Sequence, residues 1–310
     1  MEVLDRFRGC LLGLGVGDAL GTTLEFKAPG SFAPIDDMVG GGPFGLQPGQ
    51  WTDDTSMALC LAQSLVECGG LDAADQMQRY VRWYREGHLS STGRCFDIGN
   101  TCRDAIESFA QTGEPFSGST DPRAAGNGSI MRLAPVAMCW AADPATAIDM
   151  AAQSSRTTHG TEEAVDGCRL LAAYLVGALA GVAKDELLAP DGEILVLLRE
   201  TEPLSAKIEA IARGSFRDKQ PPEIRGTGYV VDSLEAALWA FARSDSFEAG
   251  ALMAVNLGDD ADTTGAVFGQ IGGAFYGVEG IPAGWLAKLA MREKIEELAV
   301  GLMQAVVDPR

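Results

Sequence analysis

The segment Trp51–Cys68 reads WTDDTSMALCLAQSLVEC. From Met57 onward its apolar and small residues fall at Met57, Cys60, Leu61, Ser64, Leu65 and Cys68. This i, i+3, i+4, i+7 stripe predicts a helix with one buried face. Gly69 and Gly70 follow it, and glycine is the residue that most readily ends a helix. The same period recurs at Ala73–Arg85, Cys102–Gln111, Met131–Ala142, Ala145–Ser154, Glu162–Val182, Val231–Arg243, Phe247–Asn256 and Thr264–Tyr276. No stretch alternates apolar and polar residues over the length of a strand, so the fold is expected to be all-α. Single cores serve chains of up to about 250–300 residues. One compact domain over residues 1–310, with at most an appended lobe, is therefore expected. Gly40–Gly49, Gly113–Asn127 and Arg217–Gly228 are rich in turn residues; the last is the most polar and reads as a lobe boundary or a surface loop.

Composition narrows the function. Apolar residues make up 46 % of the 310, enough for a large core. The formal charge of −19 disfavours nucleic acid and anionic membrane surfaces, whose partners use lysine and arginine. The longest apolar stretch, Leu170–Val182, falls short of the ~20 residues that span a bilayer. Glycines break the N-terminal apolar run, and Glu2 and Asp5 precede it, so it does not read as a signal peptide. The seven cysteines form no CxxC and predict reduced thiols in a cytoplasmic protein. With only His88 and His159 available, a histidine-rich zinc site is excluded. Gly13, Gly15 and Gly17 spell GxGxG, but no strand precedes them as a dinucleotide fingerprint requires. Close helix packing, or close approach to a ligand, is the expectation there.

Two acidic segments carry the chemistry. One is Trp51-Thr52-Asp53-Asp54-Thr55; the other is Gly258-Asp259-Asp260-Ala261-Asp262-Thr263-Thr264. Each precedes an apolar-periodic helix, and helix capping accounts for one or two such residues. It does not account for this many carboxylates with no Lys or Arg inside either cluster. If the two helix starts face each other, their carboxylates and the Thr52 and Thr263 hydroxyls form a set of hard oxygen donors, suited to Mg2+ or Mn2+. Two cations ~3.5–4 Å apart would share them. The i, i+2 spacing of Asp260 and Asp262 places both on the turn entering the helix, with Asp259 the less secure ligand.

Six segments, in order, resemble the ADP-ribosylglycohydrolase family: GCLLGLGVGDALGTTLEF (Gly9–Phe26), GQWTDDTSMAL (Gly49–Leu59), FDIGNT (Phe96–Thr101), GNGSIMRLAP (Gly126–Pro135), TTHG (Thr157–Gly160) and NLGDDADTTGA (Asn256–Ala266). FDIGNT looks most like the bacterial dinitrogenase reductase-activating glycohydrolases, which act on ADP-ribosylarginine. The resemblance implies a compact, orthogonal multi-helix fold with two divalent cations. Their ligands would be Thr52, Asp53, Asp54, Asp260, Asp262 and Thr263. It makes Glu25 the active-site glutamate and turns Asp97 toward the scissile bond and the arginine. Gly99, Asn100, Gly126, Asn127, Gly128, Ser129 and His159 would bind the nucleotide substrate. The departure is Asp259-Asp260-Ala261, where the family often has glycine before the first ligand and a small polar residue after it.

Taken alone, Glu25, between Leu24 and Phe26, also admits reading as a surface glutamate, and Asp97 as a helix cap. Gly126–Ser129 reads as a plain turn, or as a phosphate cradle at the start of the Met131–Ala142 helix. His159 reads as a buried structural histidine. With the resemblance, the expected reaction is removal of ADP-ribose from an arginine on a protein or from a small ADP-ribosyl substrate. Cleavage would pass through a cation-like sugar, with Asp97 on the leaving guanidinium and a water activated by Glu25 or a cation. Three alternatives remain: another linkage (serine, O-acetyl-ADP-ribose or a base), a binding protein without turnover, and a prenyl-diphosphate enzyme. The last needs a DDxxD pattern, and Asp53-Asp54-Thr55-Ser56-Met57 lacks its closing aspartate.

Overall fold

The computed structural model describes residues 1–307. Its helices are α1 (Val3–Gly21), α2 (Asp53–Cys68), α3 (Ala73–Glu86), α4 (Asn100–Thr112), α5 (Ala134–Cys139), α6 (Pro144–Arg156), α7 (Glu162–Leu179), α8 (Lys184–Leu187), α9 (Glu193–Thr201), α10 (Ala206–Ala212), α11 (Val230–Arg243), α12 (Phe247–Val255), α13 (Ala261–Tyr276), α14 (Ala283–Lys288) and α15 (Arg292–Val307). Among the described residues β pairing is confined to isolated bridges, such as Ser119 with His159 and Gly126 with Tyr229. The fold is all-α, as the periodicity predicts. No helix of the described residues is long and apolar enough to cross a membrane.

The central elements are α1, α7 and α13. Every residue from Gly9 to Gly21 in α1 is buried, as is every residue from Ala164 to Leu179 in α7 and from Ala261 to Ala274 in α13. A helix buried on all sides belongs to the core. What sets the contact between α1 and α13 is glycine. The two run antiparallel and so close that a Cβ on Gly9, Gly13 or Gly17 would strike the carbonyl oxygen of Gly273, Gly269 or Gly265. The reverse holds too: a Cβ on Gly265, Gly269 or Gly273 would strike the carbonyl of Gly17, Gly13 or Gly9. The expectation of close packing is met at Gly13 and Gly17. Gly15 points the other way, where a Cβ would find ordinary contact with Ile295 and Thr55. This register brings the C-terminal end of α1 to the start of α13, with Gly21 against Ala261.

Several helix starts carry ordinary caps. The side chains of Asp72, Asp143, Thr161 and Ser246 each accept a backbone N–H from the first turn of α3, α6, α7 and α12. Gly69 ends α2 in the left-handed conformation, at φ 70°.

Two expectations need correction. The helix expected over Met131–Ala142 spans only α5, because Pro135 lacks an N–H and fits only the first turn of a helix. Gly128–Arg132 forms a turn instead, so no helix N-terminus follows Gly126–Ser129 to cradle a phosphate. Asp262 lies inside the first turn of α13 and not on the turn entering it, whereas Asp260, at the N-cap, sits on that turn as expected. The Arg217–Gly228 loop contacts both acidic-site neighbours, Asp260 and Asn127. Gly226 accepts the Asp260 N–H at 2.9 Å and Gly228 the Asn127 N–H at 3.1 Å, which ties the loop into the region of the acidic segments.

Candidate metal centre

Asp18 joins the pieces. It sits near the C-terminal end of α1, fully buried. Its Oδ1 accepts the backbone N–H and the hydroxyl of Thr52, at 2.9 and 3.0 Å. Its Oδ2 accepts the N–H and the hydroxyl of Thr55, at 3.0 and 2.6 Å. These four bonds dock the N-terminus of α2 on α1. Since glycine packing already holds the start of α13 there, the two acidic segments meet. The Thr52 hydroxyl lies 3.2 Å from Asp262 Oδ2, and the Thr263 hydroxyl lies 3.4 Å from Asp54 Oδ1.

The loop after α1 completes the wall. Phe26 N donates to Asp259 O at 2.7 Å and Asp259 N to Lys27 O at 2.8 Å, which pairs this loop with the turn into α13. Glu25 is thereby buried beside the clusters, at 3 % exposure. Asp97 comes from the loop before α4, at φ 61°. Glu25, Asp97 and Asp262 each bring a carboxylate oxygen within 4.8 Å of the other two. Asn127 Nδ2 donates to Asp260 Oδ2 at 2.6 Å, so its side chain orients a carboxylate of the cluster.

These residues enclose a cavity of about 670 Å3. Of the sequence-predicted site residues, Glu25, Asp53, Asp54, Asp97, Gly99, Asn100, Gly126, Asn127, Gly128, His159, Asp260, Asp262 and Thr263 line it. Thr52 and Ser129 are buried just behind, at 0 % and 2 % exposure. Asp259, the less secure ligand, also reaches the wall. Phe26 and Phe44 stand at the same wall, with ring centroids 6.5 Å apart.

The side chains at the two N-caps do not act as caps. Thr52 and Asp260 occupy the N-caps of α2 and α13, yet neither side chain bonds a backbone N–H of its own helix. Thr52 turns to Asp262 of the other segment, and Asp260 accepts from Asn127. Electrostatics point the same way. Burial, then the charge of Asp97, holds the Asp53 carboxyl well above the usual carboxylate range. Burial, then Asp18, does the same for Asp54; burial, then Glu25, for Asp262; and burial raises Asp260. Glu25 is pushed up to about 10, first by burial and next by Asp97. Asp97 is pushed up to about 7 by burial, and Asp18 to about 6, also by burial.

No Lys or Arg among the described residues forms an ion pair with any of these groups. Glu25 Oε2, Asp54 Oδ2 and Asp262 Oδ1 are buried without a hydrogen-bond partner. Buried, unpartnered carboxylate oxygens are costly. A divalent cation relieves both the missing bonds and the repulsion, and hard oxygen donors suit it. The acidic cluster is therefore able to bind metal.

Asp18 is the functional residue that sequence reasoning missed. The available signal was a carboxylate in the apolar, glycine-rich stretch Gly9–Gly21, which must find several donors when buried.

Comparison with known proteins agrees with this geometry. Residues 1–310 match the family described as ADP-ribosylglycohydrolase. ADP-ribosylarginine hydrolase Tri1 of Pseudomonas putida (strain GB-1) is 48 % identical over 298 residues, covering 96 % of this chain and 78 % of that protein. The ADP-ribosyl-[dinitrogen reductase] glycohydrolase of Rhodospirillum rubrum is 35 % identical, covering 95 % and 94 %. A solved structure titled "ADP-ribosylglycohydrolase-related protein complex" superposes with a TM-score of 0.87 at 45 % identity, covering 98 % of this chain and 99 % of that one.

Proposed function

The chain belongs to the ADP-ribosylglycohydrolase family, and on that premise we propose that it is a hydrolase cleaving the N-glycosidic bond between ADP-ribose and a modified arginine of a protein. The observation that carries this reading is the meeting of Thr52–Asp54 with Asp260–Thr263 around buried, unpartnered oxygens, beside Glu25 and Asp97. The names of the relatives supply the arginine linkage.

We assign two divalent cations, Mg2+ or Mn2+, to Thr52, Asp53, Asp54, Asp260, Asp262 and Thr263. When bound, they supply positive charge that neutralises the cluster and polarises oxygens of the ribose. The chain's own residues do the rest. Asn127 holds Asp260 in place through its amide, and Asp18 holds Thr52. Gly126 and Gly128 leave backbone open to the nucleotide, and Gly99 and Asn100 border the arginine end. Glu25 and Asp97 handle the protons: a carboxylic acid serves the departing guanidine and a carboxylate the incoming water. Asp97, half-buried where Glu25 is buried, faces the leaving group. The seven free thiols support a reducing, cytoplasmic setting. The bonds from Gly226 and Gly228 into the site support a single domain.

The test is release of ADP-ribose from defined arginine-linked and serine-linked substrates, with and without chelation. Cation-dependent release from arginine is expected. No release from either substrate, or release indifferent to chelation, would defeat the proposal.

A further inference from the structure

One edge of the His159 ring lines the site cavity. The other edge is held by groups that the reaction above does not use. His159 Nδ1 stands 2.9 Å from Thr158 Oγ1. The same oxygen accepts a 2.6 Å bond from Nη2 of Arg132. Arg132 is 1 % exposed and forms no ion pair among the described residues. Its other terminal nitrogen donates to Gly128 O at 2.8 Å, and its guanidinium lies 4.8 Å from the centre of the Tyr80 ring. It is a buried cation directly behind the cavity wall.

Hydrogen-bond inventory argues for one placement of the protons. Guanidinium only donates, so the Thr158 oxygen is an acceptor in that pair. A hydroxyl that accepts from a cation is polarised toward giving its own proton. A second N–H aimed at the same oxygen would meet the guanidinium charge. The Cys102 thiol also lies within reach of the Thr158 hydroxyl but is the weaker acceptor, so the hydroxyl proton points at Nδ1. The ring proton is left on Nε2. Burial, then Arg132, holds the imidazole down to about 3, so the ring is neutral and carries a single N–H.

The rest of the residue is pinned to match. His159 N donates to Ser155 O at 2.7 Å, and Ser155 Oγ donates to His159 O at 2.9 Å. Nε2 faces Gly126 and Gly128: a Cβ on either would lie 3.3 or 3.2 Å from it, and one on Gly128 would also press on Cε1 at 2.7 Å. Among the described residues no protein group hydrogen-bonds Nε2.

We propose that Arg132 and Thr158 are positioning residues that lock His159 as its Nε2–H tautomer, so that the ring presents one fixed N–H donor to an acceptor oxygen of the bound ADP-ribosyl group. The identity of that acceptor rests on the function proposed above; the tautomer does not.

The experiment is 15N NMR of the full chain with labelled histidine, alongside ADP-ribose titration calorimetry with divalent cation present. Only His88 and His159 occur in the sequence, so His88→Gln assigns both signals. A neutral His159 with its proton on Nε2 is expected in the wild type. Thr158→Val keeps the side-chain shape and should give mixed tautomers and roughly tenfold weaker ADP-ribose binding. Thr158→Ser should restore both. A wild-type spectrum with the proton on Nδ1 overturns the proposal without any variant having to fold. So does a valine variant with unchanged tautomer and affinity. The expected tautomer in a protein that binds no ADP-ribose supports the lock and sinks the ADP-ribosyl reading instead.

Discussion

The Thr52 hydroxyl lies 3.2 Å from Asp262 Oδ2, although 210 positions separate them in the chain. Two devices produce this meeting. Glycines on α1 and α13 let the helices approach until backbone touches backbone, which fixes the start of α13 beside Asp18. Asp18 then gathers the start of α2 with four hydrogen bonds. The acidic site is a consequence of helix register.

Gly265→Ala should therefore damage stability and metal binding together. Its Cβ would overlap the Gly17 carbonyl, a backbone atom that cannot rotate away. A loss of about 3 kcal/mol or more is expected, at the upper end for overpacking. Gly284→Ala is the control: this glycine is exposed, with open space around it, and the variant should be neutral or stabilising by up to about 1 kcal/mol. Thermal unfolding of both variants checks the contrast. Equal melting temperatures would contradict the register argument.

Asp18→Asn should weaken cation binding by about 10–100-fold, the usual effect of losing a group that orients ligands. The asparagine N–H2 would face Thr55 or Thr52 donors where a carboxylate oxygen now accepts. Cation-free stability should also fall, by about 1–3 kcal/mol. Calorimetric cation titration at a temperature where the variant is folded separates the two effects. Wild-type affinity would remove Asp18 from the account.

How much of this was legible beforehand depended on locality. Thr52–Asp54 and Asp260–Thr263 stood out because several carboxylates crowd each helix start with no basic neighbour. Whether they cap or bind could not be read, since sequence does not say where an N-cap side chain points. At Asp72 and Asp143 it turns to its own helix; at Thr52 and Asp260 it does not. Asp18 was hidden because its partners lie 34 and 37 residues away. The Met131–Ala142 expectation failed on a signal that was present: Pro135 belongs in the first turn of a helix. Gly13 and Gly17 read as close packing or close approach to a ligand, and their partners on α13 were out of reach of any local pattern.

The cluster predicts a pH dependence that cations reverse. Asp18, Asp97 and Glu25 hold their protons more tightly folded than unfolded, with folded values of about 6, about 7 and about 10. At these three groups the folded chain binds more protons than the unfolded chain above about pH 4, and His159, held down to about 3, opposes this only up to its unfolded value near 6.5. The stabilising contribution of the three carboxyls is whole below about pH 4 and is lost as pH rises through the folded values. Groups held low, such as Asp37 and Asp121, are ionised in both states at neutral pH and stay silent. Cation-free protein should melt at lower temperature at about pH 8 than at about pH 6. The gain in melting temperature on adding Mn2+ should be larger at the higher pH. A gain that is the same at both, in scanning calorimetry, would contradict this.

Glu25→Gln and Asp97→Asn remove the two carboxylates assigned to proton transfer. Each should lower kcat by about 10²–10⁴-fold on ADP-ribosylarginine, with ADP-ribose affinity changed far less. Steady-state kinetics and product-binding titrations together read this split. Near-native kcat in both variants would end the assignment.

The most direct test of the joint metal centre is diffraction from Mn2+-soaked crystals, with anomalous maps at the manganese edge. The account predicts anomalous peaks contacted both by Asp53 or Asp54 and by Asp260 or Asp262. Peaks held by one segment alone, or no peak in the cavity of a fully active protein, would contradict it.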